Sequence, residues 1–528
     1  MAGEGEIQFA EPIIHRLQSF LTGKEAARTA FVSKSWHSAW LTRPNLDFDG
    51  TYLRARRDDP SGFARFKNHA KKTIKRYEQS NLKIESFNLC MEIDQYGRAE
   101  LAYKLILKAL RIGATRLCLR LSNYSSFVLP KEVFGADNLV ELSVSGCTIE
   151  LDDGVVIKCR SLESLSLDDV DRITIDTVSK IVSSCPSIEK FSLMSKIHKD
   201  YEYEYGHRAA ARKAAANAMV VGVVDNLIPS LRCLVLGYKS YKTLCLDDLL
   251  SRFPFLKDFT LYVTSDTNVK KGIQISNRSL EHIKLVLEVY DAISIGSRKP
   301  RVKFDVPSVR KFTFEGDVIP SISFMSMPPS REWESHVSII CEDCGLSAFW
   351  FNDLSELLTE LSQSKTHLSL NVVSYGLRLD YKVRDKIIQG LRNHELENLT
   401  IHIKGLPFLT CYAFFDGLFR VCRPKLITQY HEEDPDKRRY DDSDMEKTNI
   451  DVLCQTLEEG INLKLSRPNL FMYGLKDLKE VNAQAFDMDS VPAVWKPIPF
   501  ESLLDADTPY KHVRVKQRIR LLLKWKSS

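Results

Sequence analysis

Two hydrophobic rhythms divide the chain. From Phe9 to Trp40 the apolar positions recur at helical spacing: Ile13, Ile14, Leu17, Phe20 and Leu21 fall at i, i+1, i+4, i+7 and i+8, one stripe of a helix that begins near Pro12. Thr22-Gly23 reads as its end, and Lys24 to Thr29 as a short second helix. Val32, Trp36 and Trp40 recur every four residues and predict a third. Three short helices bury too little to stand alone, so this module must pack on the rest of the chain or on another protein.

After Lys83 the rhythm becomes apolar-x-x-apolar-x-apolar. The triplets start at Ile84, Ala114, Leu139, Leu162, Ile188, Leu231, Leu256, Leu280 and Val309, with spacings of 30, 25, 23, 26, 43, 25, 24 and 29 residues. Most lie within or near the roughly 20–29 residues of a leucine-rich repeat, whose strand reads L-x-x-L-x-L. Fainter continuations stand at Val337 and Ile339, at Leu368 and Leu370, and at Leu396, Leu399 and Ile401. About 11 or 12 repeats are expected on this spacing, the last few degenerate. Each triplet buries alternate side chains of a short parallel strand, and no unit covers its own face, so stacking is obligatory. The returns read as helix-like at Ile175 to Cys185 and Leu246 to Arg252, closed by Cys185-Pro186 and Phe253-Pro254. Strands on one side and longer returns on the other predict an arc with a concave parallel sheet, a binding surface.

Between the two rhythms, Phe63, Phe66, Ala70, Ile74 and Tyr77 mark an amphipathic helix with a basic face of Lys67, Lys71, Lys72, Lys75 and Arg76. That face reads as solvated, with contact to an acidic partner as the alternative. The 43-residue step hides an insertion from Lys196 to Gly222, a helix or a flap, and His431 to Lys447 reads as a charged linker. Lys511 to Lys526 mixes seven Lys or Arg residues with apolar ones and reads as a cap on the array, with an RNA or membrane-surface role as the alternative.

Composition narrows the function classes. The 528 residues are 44% hydrophobic and 27% charged, which predicts a folded chain, and 74 basic residues against 69 acidic ones leave a net charge of +5. That balance lends nucleic-acid binding no support. No apolar run approaches a membrane span, and Met1 to Gln8 shows no targeting signal, so an intracellular reducing location is expected for the 12 cysteines. Cys90, Cys118 and Cys233 read as small core residues. Cys341-Glu342-Asp343-Cys344 has C-x-x-C spacing, but a structural zinc site needs two further ligands and none stands nearby. No phosphate loop, H-E-x-x-H or G-x-S-x-G occurs. No catalytic residue, metal site or cofactor is expected.

The stretch FAEPIIHRLQSFLTGKEAARTAFVSKSWHSAW resembles the F-box of plant F-box proteins with leucine-rich repeats, which share the Ile-Ile helix, the Ser-Phe-Leu end, the Ala-Ala-Arg-Thr segment and the Ser-Lys-x-Trp finish. Asn45, Leu46, Asp47 and Phe48 continue the likeness. Phe9-Ala10 replaces Leu-Pro, Gln18 stands where an apolar residue is usual, and Ser35 where Arg is usual. Phe414 to Phe419 and Cys422 to Lys425 are similar to a segment near the C-terminus of some of these proteins.

The resemblance implies an α/β chain: an F-box at 9–50, a helical linker at 51–83, a curved repeat array at 84–405 and a C-terminal region at 406–528. It implies a non-catalytic adaptor of a ubiquitin ligase, cytoplasmic or nuclear. Phe9, Pro12, Ile13, Ile14, Leu17, Phe20, Leu21, Val32 and Trp36 would bind a Skp-type adaptor, and through it a cullin, while the repeats hold a target protein. Gln18 would face the same groove. A repeat scaffold without ligase function and a cysteine-dependent redox or zinc protein are the alternatives.

Overall fold

The computed structural model describes residues 10–50, 60–93, 97–123, 127–152, 154–170, 173, 175–194, 230–238, 250–265, 272–289, 299–326, 333–342, 348–373, 391–404, 408–429, 453–458, 473–487, 494–503 and 519–526. The Lys196–Gly222 insertion and the His431–Lys447 stretch lie outside them. The chain is a mixed α/β protein of two units, Met1–Tyr238 and Lys239–Ser528.

The first unit opens with helices α1 (Glu11–Ser19), α2 (Gly23–Thr29) and α3 (Lys34–Thr42) and continues into strand β1 (Asn45–Asp49). After α4 (Pro60–Gln79) come β2 (Ser86–Ile93), α5 (Arg98–Ile112), β3 (Arg116–Asn123), β4 (Glu141–Ser145), β5 (Ser164–Asp168), α6 (Ile175–Ser184), β6 (Lys190–Met194) and β7 (Cys233–Tyr238). The strands pair in parallel and in chain order, each beside the one before it. Their register stacks Leu46, Phe87, Leu117, Leu142, Leu165, Phe191 and Leu234 in one buried column and Phe48, Leu89, Leu119, Val144, Leu167, Leu193 and Leu236 in the next. Period-two alternation is what lets one strand bury one column and expose its neighbour. The parallel ladder thus begins at β1, ahead of Ile84.

Helices cover the buried side. In α4, Phe66, Ala70, Ile74 and Tyr77 turn inward, and the Tyr77 hydroxyl donates to the Arg43 carbonyl at 2.6 Å. In α5, Leu101, Leu105, Ile106 and Ala109 are buried, and the helix ends at Gly113, whose φ of 100° no residue with a Cβ adopts cheaply. The return over Ile175 to Cys185 is helical as expected, closing with Cys185 buried.

The second unit repeats the strand rule with a different return. Its main sheet runs β8 (Asp258–Ser265), β10 (His282–Val289), β12 (Lys311–Gly316), β14 (Glu334–Glu342), β15 (Lys365–Val373), β17 (Asn398–Lys404) and β19 (Leu426–Gln429), all parallel. Between them lie β9 (Ile273–Ser276), β11 (Arg301–Asp305) and β13 (Ser321–Ser326), which form a second parallel sheet of their own. Returns in this stretch are therefore strands and not helices, while most of the helix-like return expected at Leu246 to Arg252 lies outside the described residues. Ile273 and Ile275, Val302 and Phe304, Ile322 and Phe324 alternate at period two in segments too short to bury a helical face. Phe304 stacks on Phe324 with centroids 5.1 Å apart and meets Phe312 of the main sheet edge-on at 5.4 Å. Later returns revert to helices α7 (Ala348–Glu360) and α8 (Phe408–Val421), with a short parallel pair of β16 (His394–Leu396) and β18 (Cys422–Pro424).

The degenerate repeats shift by one strand position. Phe312 pairs with Ser335 and Ser335 with Thr366, so these two buried residues, not Val337 and Leu368, take the first inward place. Hydroxyls replace methyls there because they satisfy one another: Ser335 lies 2.6 Å from Ser364 and 3.0 Å from Thr366.

The basic, apolar C-terminal stretch supplies β22 (Ile519–Trp525), antiparallel to both β19 and β20 (Leu478–Asp487), and β20 carries β21 (Val494–Ile498) at the rim. Leu521 and Leu523 are buried, the Trp525 indole donates to the Pro424 carbonyl at 2.9 Å, Arg520 lies 4.2 Å over Trp495, and Lys524 pairs with Glu480 at 2.7 Å. No described helix is long and apolar enough to cross a membrane.

Candidate functional site

The N-terminal module concentrates exposed apolar surface. Of the 12 large hydrophobic side chains exposed among the described residues, five lie here: Ile13 at 49%, Leu17 at 41%, Phe20 at 71%, Phe31 at 92% and Val32 at 68%. Helical geometry produces the division in α1. Ile13, Leu17 and Phe20 fall on the outer face, whereas Ile14 and Gln18, also four apart, are both 1% exposed. The nine residues expected to dock divide accordingly: Pro12, Ile13, Leu17, Phe20 and Val32 are exposed, Leu21 and Trp36 half-buried and Ile14 buried, while Phe9 lies outside the described residues. The fourfold spacing of Val32, Trp36 and Trp40 passes over Phe31, which its exposure alone brings forward.

Gln18 overturns its expected place. Rather than facing outward it ties the three helices together, its side-chain nitrogen donating to Thr29 Oγ1 at 3.0 Å and to the Trp36 carbonyl at 3.1 Å. Thr22-Gly23 likewise belongs to the next helix. Thr22 and Glu25 form a reciprocal cap on α2, which holds the Glu25 carboxyl below its ordinary value through backbone and then side-chain hydrogen bonds from Thr22. Gly23 fits closely, since an added Cβ would sit 3.1 Å from Asp47 Cβ. Ser33 caps α3, so Val32 precedes that helix in the connecting turn. Ala10 brings no capping side chain to α1. Asp47 pairs with Arg43 and accepts from Asn88 at 2.5 Å, fastening the module to β1 and β2.

The outward faces of the two main sheets are polar. In the first unit, Asn88, Cys118, Ser143, Ser166 and Ser192 share one row, and Cys90 lies across from Arg120 in another. Cys90, Cys118 and Cys233 are half-buried on this face, which corrects their reading as core: each stands one residue out of phase with the buried columns. In the second unit Asp258, His282, Lys311, Glu334 and Lys365 form one row, and Lys284, Thr313, His336, His367 and Asn398 the next. On α4 the field of Lys67 and Lys71 helps hold the exposed Glu100 carboxyl low, after its bond to Lys104.

No group of three or more metal-ligating side chains stands together among the described residues. Burial pushes the Cys341 thiol up to about 12, so it carries no thiolate at neutral pH, and Cys344 lies outside the described residues.

The Phe414–Phe419 segment is structural throughout. Phe414, Phe415, Leu418 and Phe419 are buried in α8, and Gly417 permits close packing, because an added Cβ would lie 2.6 Å from Phe351 Cζ. Asp416 pairs with Arg420 at 2.7 Å and accepts from the Gly474 backbone N–H at 3.2 Å.

No protein-family model matches the chain. Among curated proteins of Arabidopsis thaliana, a putative F-box/LRR-repeat protein is 28% identical over 201 residues, covering 36% of each chain. An F-box/FBD/LRR-repeat protein is 27% identical over 184 residues, 34% of this chain and 40% of the relative, and an F-box/LRR-repeat protein is 27% identical over 194 residues, 35% and 38%. The chain thus spans less than half the length of the curated relatives it matches. These homologues, at about 27% identity over about a third of the chain, support a plant F-box/LRR-repeat family for it.

Proposed function

We propose that this chain is the substrate-recognition subunit of a Skp-cullin-F-box ubiquitin ligase. The observation that carries the reading is the set of five outward apolar side chains on a module too small to need them for its own core. Covering such a side chain returns roughly 1.5–3 kcal/mol, before the costs of association are subtracted. In this reading the three-helix module is the F-box, Ile13, Leu17, Phe20, Phe31 and Val32 enter the groove of a Skp-type adaptor, and Ile14 and Gln18 hold the module in shape. The polar outward faces of the sheets hold the target protein, as a curved leucine-rich-repeat array does. The chain then positions a target without catalysing the transfer. Cys118, Cys147, Cys159, Cys185, Cys341 and Cys422 stand as thiols, which fits a cytoplasmic or nuclear location.

Co-purification with a Skp-type adaptor tests it. Wild type should capture the adaptor, and I13D/L17D should lose it while keeping the wild-type melting temperature. Absence of capture by wild type would leave a repeat scaffold without ligase function, which the uncapped start of α1 at Ala10 favours.

A further inference from the structure

His336 and His367 face one another across adjacent parallel strands, their rings stacked with centroids 4.7 Å apart and planes 8° from parallel. Both are half-buried on the outward face. Their row, Lys284, Thr313, His336, His367 and Asn398, contains no carboxylate. In the adjoining row Lys311 and Lys365 flank Glu334, and neither lysine makes an ion pair among the described residues. Two residues along the strands, Ser338 and Ser369 stand opposite each other on the same face.

The charges on this patch do not balance. Lys284 is neutralised by Glu315 at 2.8 Å. The remaining carboxylate, Glu334, lies 3.6 Å from His336 Nε2, too far for a hydrogen bond, and that nitrogen is buried with no hydrogen-bond partner among the described residues. Lys311 and Lys365 therefore stand on either side of one carboxylate that forms an ion pair with neither. We propose that the outward face of β12, β14 and β15 binds an acidic, extended segment of a protein partner, and that His336, stacked on His367, takes up a proton as its carboxylates arrive.

The patch has the features such binding needs. The hydroxyls of Thr313, Ser338 and Ser369 supply donors, Lys311 and Lys365 supply charge, and parallel strands present them at regular spacing to an extended chain. In the free protein burial holds His336 below the ordinary histidine value, helped by His367 and Lys311 and opposed by Glu334. Incoming carboxylates reverse that balance, so binding tightens as pH falls through the histidine range. The inference deepens the target-binding half of the proposed function, and its test omits the adaptor, so either can fail alone.

The probe is a fluorescein-labelled peptide of alternating Gly and Glu, with a Gly-Gln peptide as control, titrated into the purified full chain at pH 7.5 and 5.5 and followed by anisotropy. The Glu peptide should bind about tenfold or more tightly at the lower pH, where its own carboxylates remain ionised, and the Gln peptide should not bind. H336Q/H367Q should flatten the pH dependence, and K311S/K365S should weaken binding at both pH values, each with an unchanged melting temperature. The proposal is overturned by no saturable binding at either pH, by equal binding of the Gln peptide, or by an unaltered pH dependence in H336Q/H367Q.

Discussion

The carboxylate of Asp416, 1% exposed, lies 2.7 Å from the guanidinium of Arg420 one turn further along α8 and receives the N–H of Gly474 from a segment 58 residues away. One buried charge thus pins the segment before β20 to the last helix of the array. Asp416→Ala removes the carboxylate that pairs with the Arg420 guanidinium and should cost about 3–5 kcal/mol, read from chemical denaturation. Asp416→Asn keeps the acceptor oxygen and should cost less. Equal stability of all three proteins would refute the assignment.

Gln18→Ala should destabilise the chain by about 1–3 kcal/mol, because it removes a buried side chain and two donated hydrogen bonds that join α1 to Thr29 and Trp36. A change to adaptor capture with no change in melting would restore Gln18 to the docking face.

Phe31→Asp is expected to change stability by no more than about 0.5 kcal/mol, since the side chain is 92% exposed, yet to weaken adaptor capture. Unimpaired capture would take Phe31 out of the proposed groove.

Burial pushes the thiols of Cys147, Cys185 and Cys341 up to about 12 from an ordinary 9.0. The folded state keeps these protons where the unfolded chain loses them. Their contribution to stability is fully present below pH 9 and is lost as pH rises through about 12. Native protein at pH 8 should leave all three unmodified by iodoacetamide, and denatured protein should react at each. Rapid labelling of Cys341 in the native state would revive a thiol role.

The strands of the first unit were legible because every triplet from Ile84 to Leu231 keeps two apolar columns in phase, a constraint stacking enforces. Parity also held the answer for Cys90 and Cys118, each adjacent to an inward residue and so necessarily outward. What escaped was decided by partners distant in sequence. Ser335 and Thr366 break the apolar pattern because each hydroxyl satisfies the other across strands. The returns at Ile273, Val302 and Ile322 are strands because each finds the others beside it, and a four-to-six-residue alternation alone does not separate a strand from a loop. In the module the helices were readable, but Gln18 looked misplaced until Thr29 and Trp36 were brought against it.

The in-register parallel ladder bears on how such a chain diversifies. Each strand spends one set of alternate residues on the interior and leaves the other set free of it, so Asn88, Cys118 and Ser143 occupy successive outward places while Leu89, Leu119 and Val144 beside them carry the fold. Descendants can rewrite the outward letters one at a time and inherit the inward ones unchanged, which lets a single scaffold acquire new recognition without risking its ability to fold.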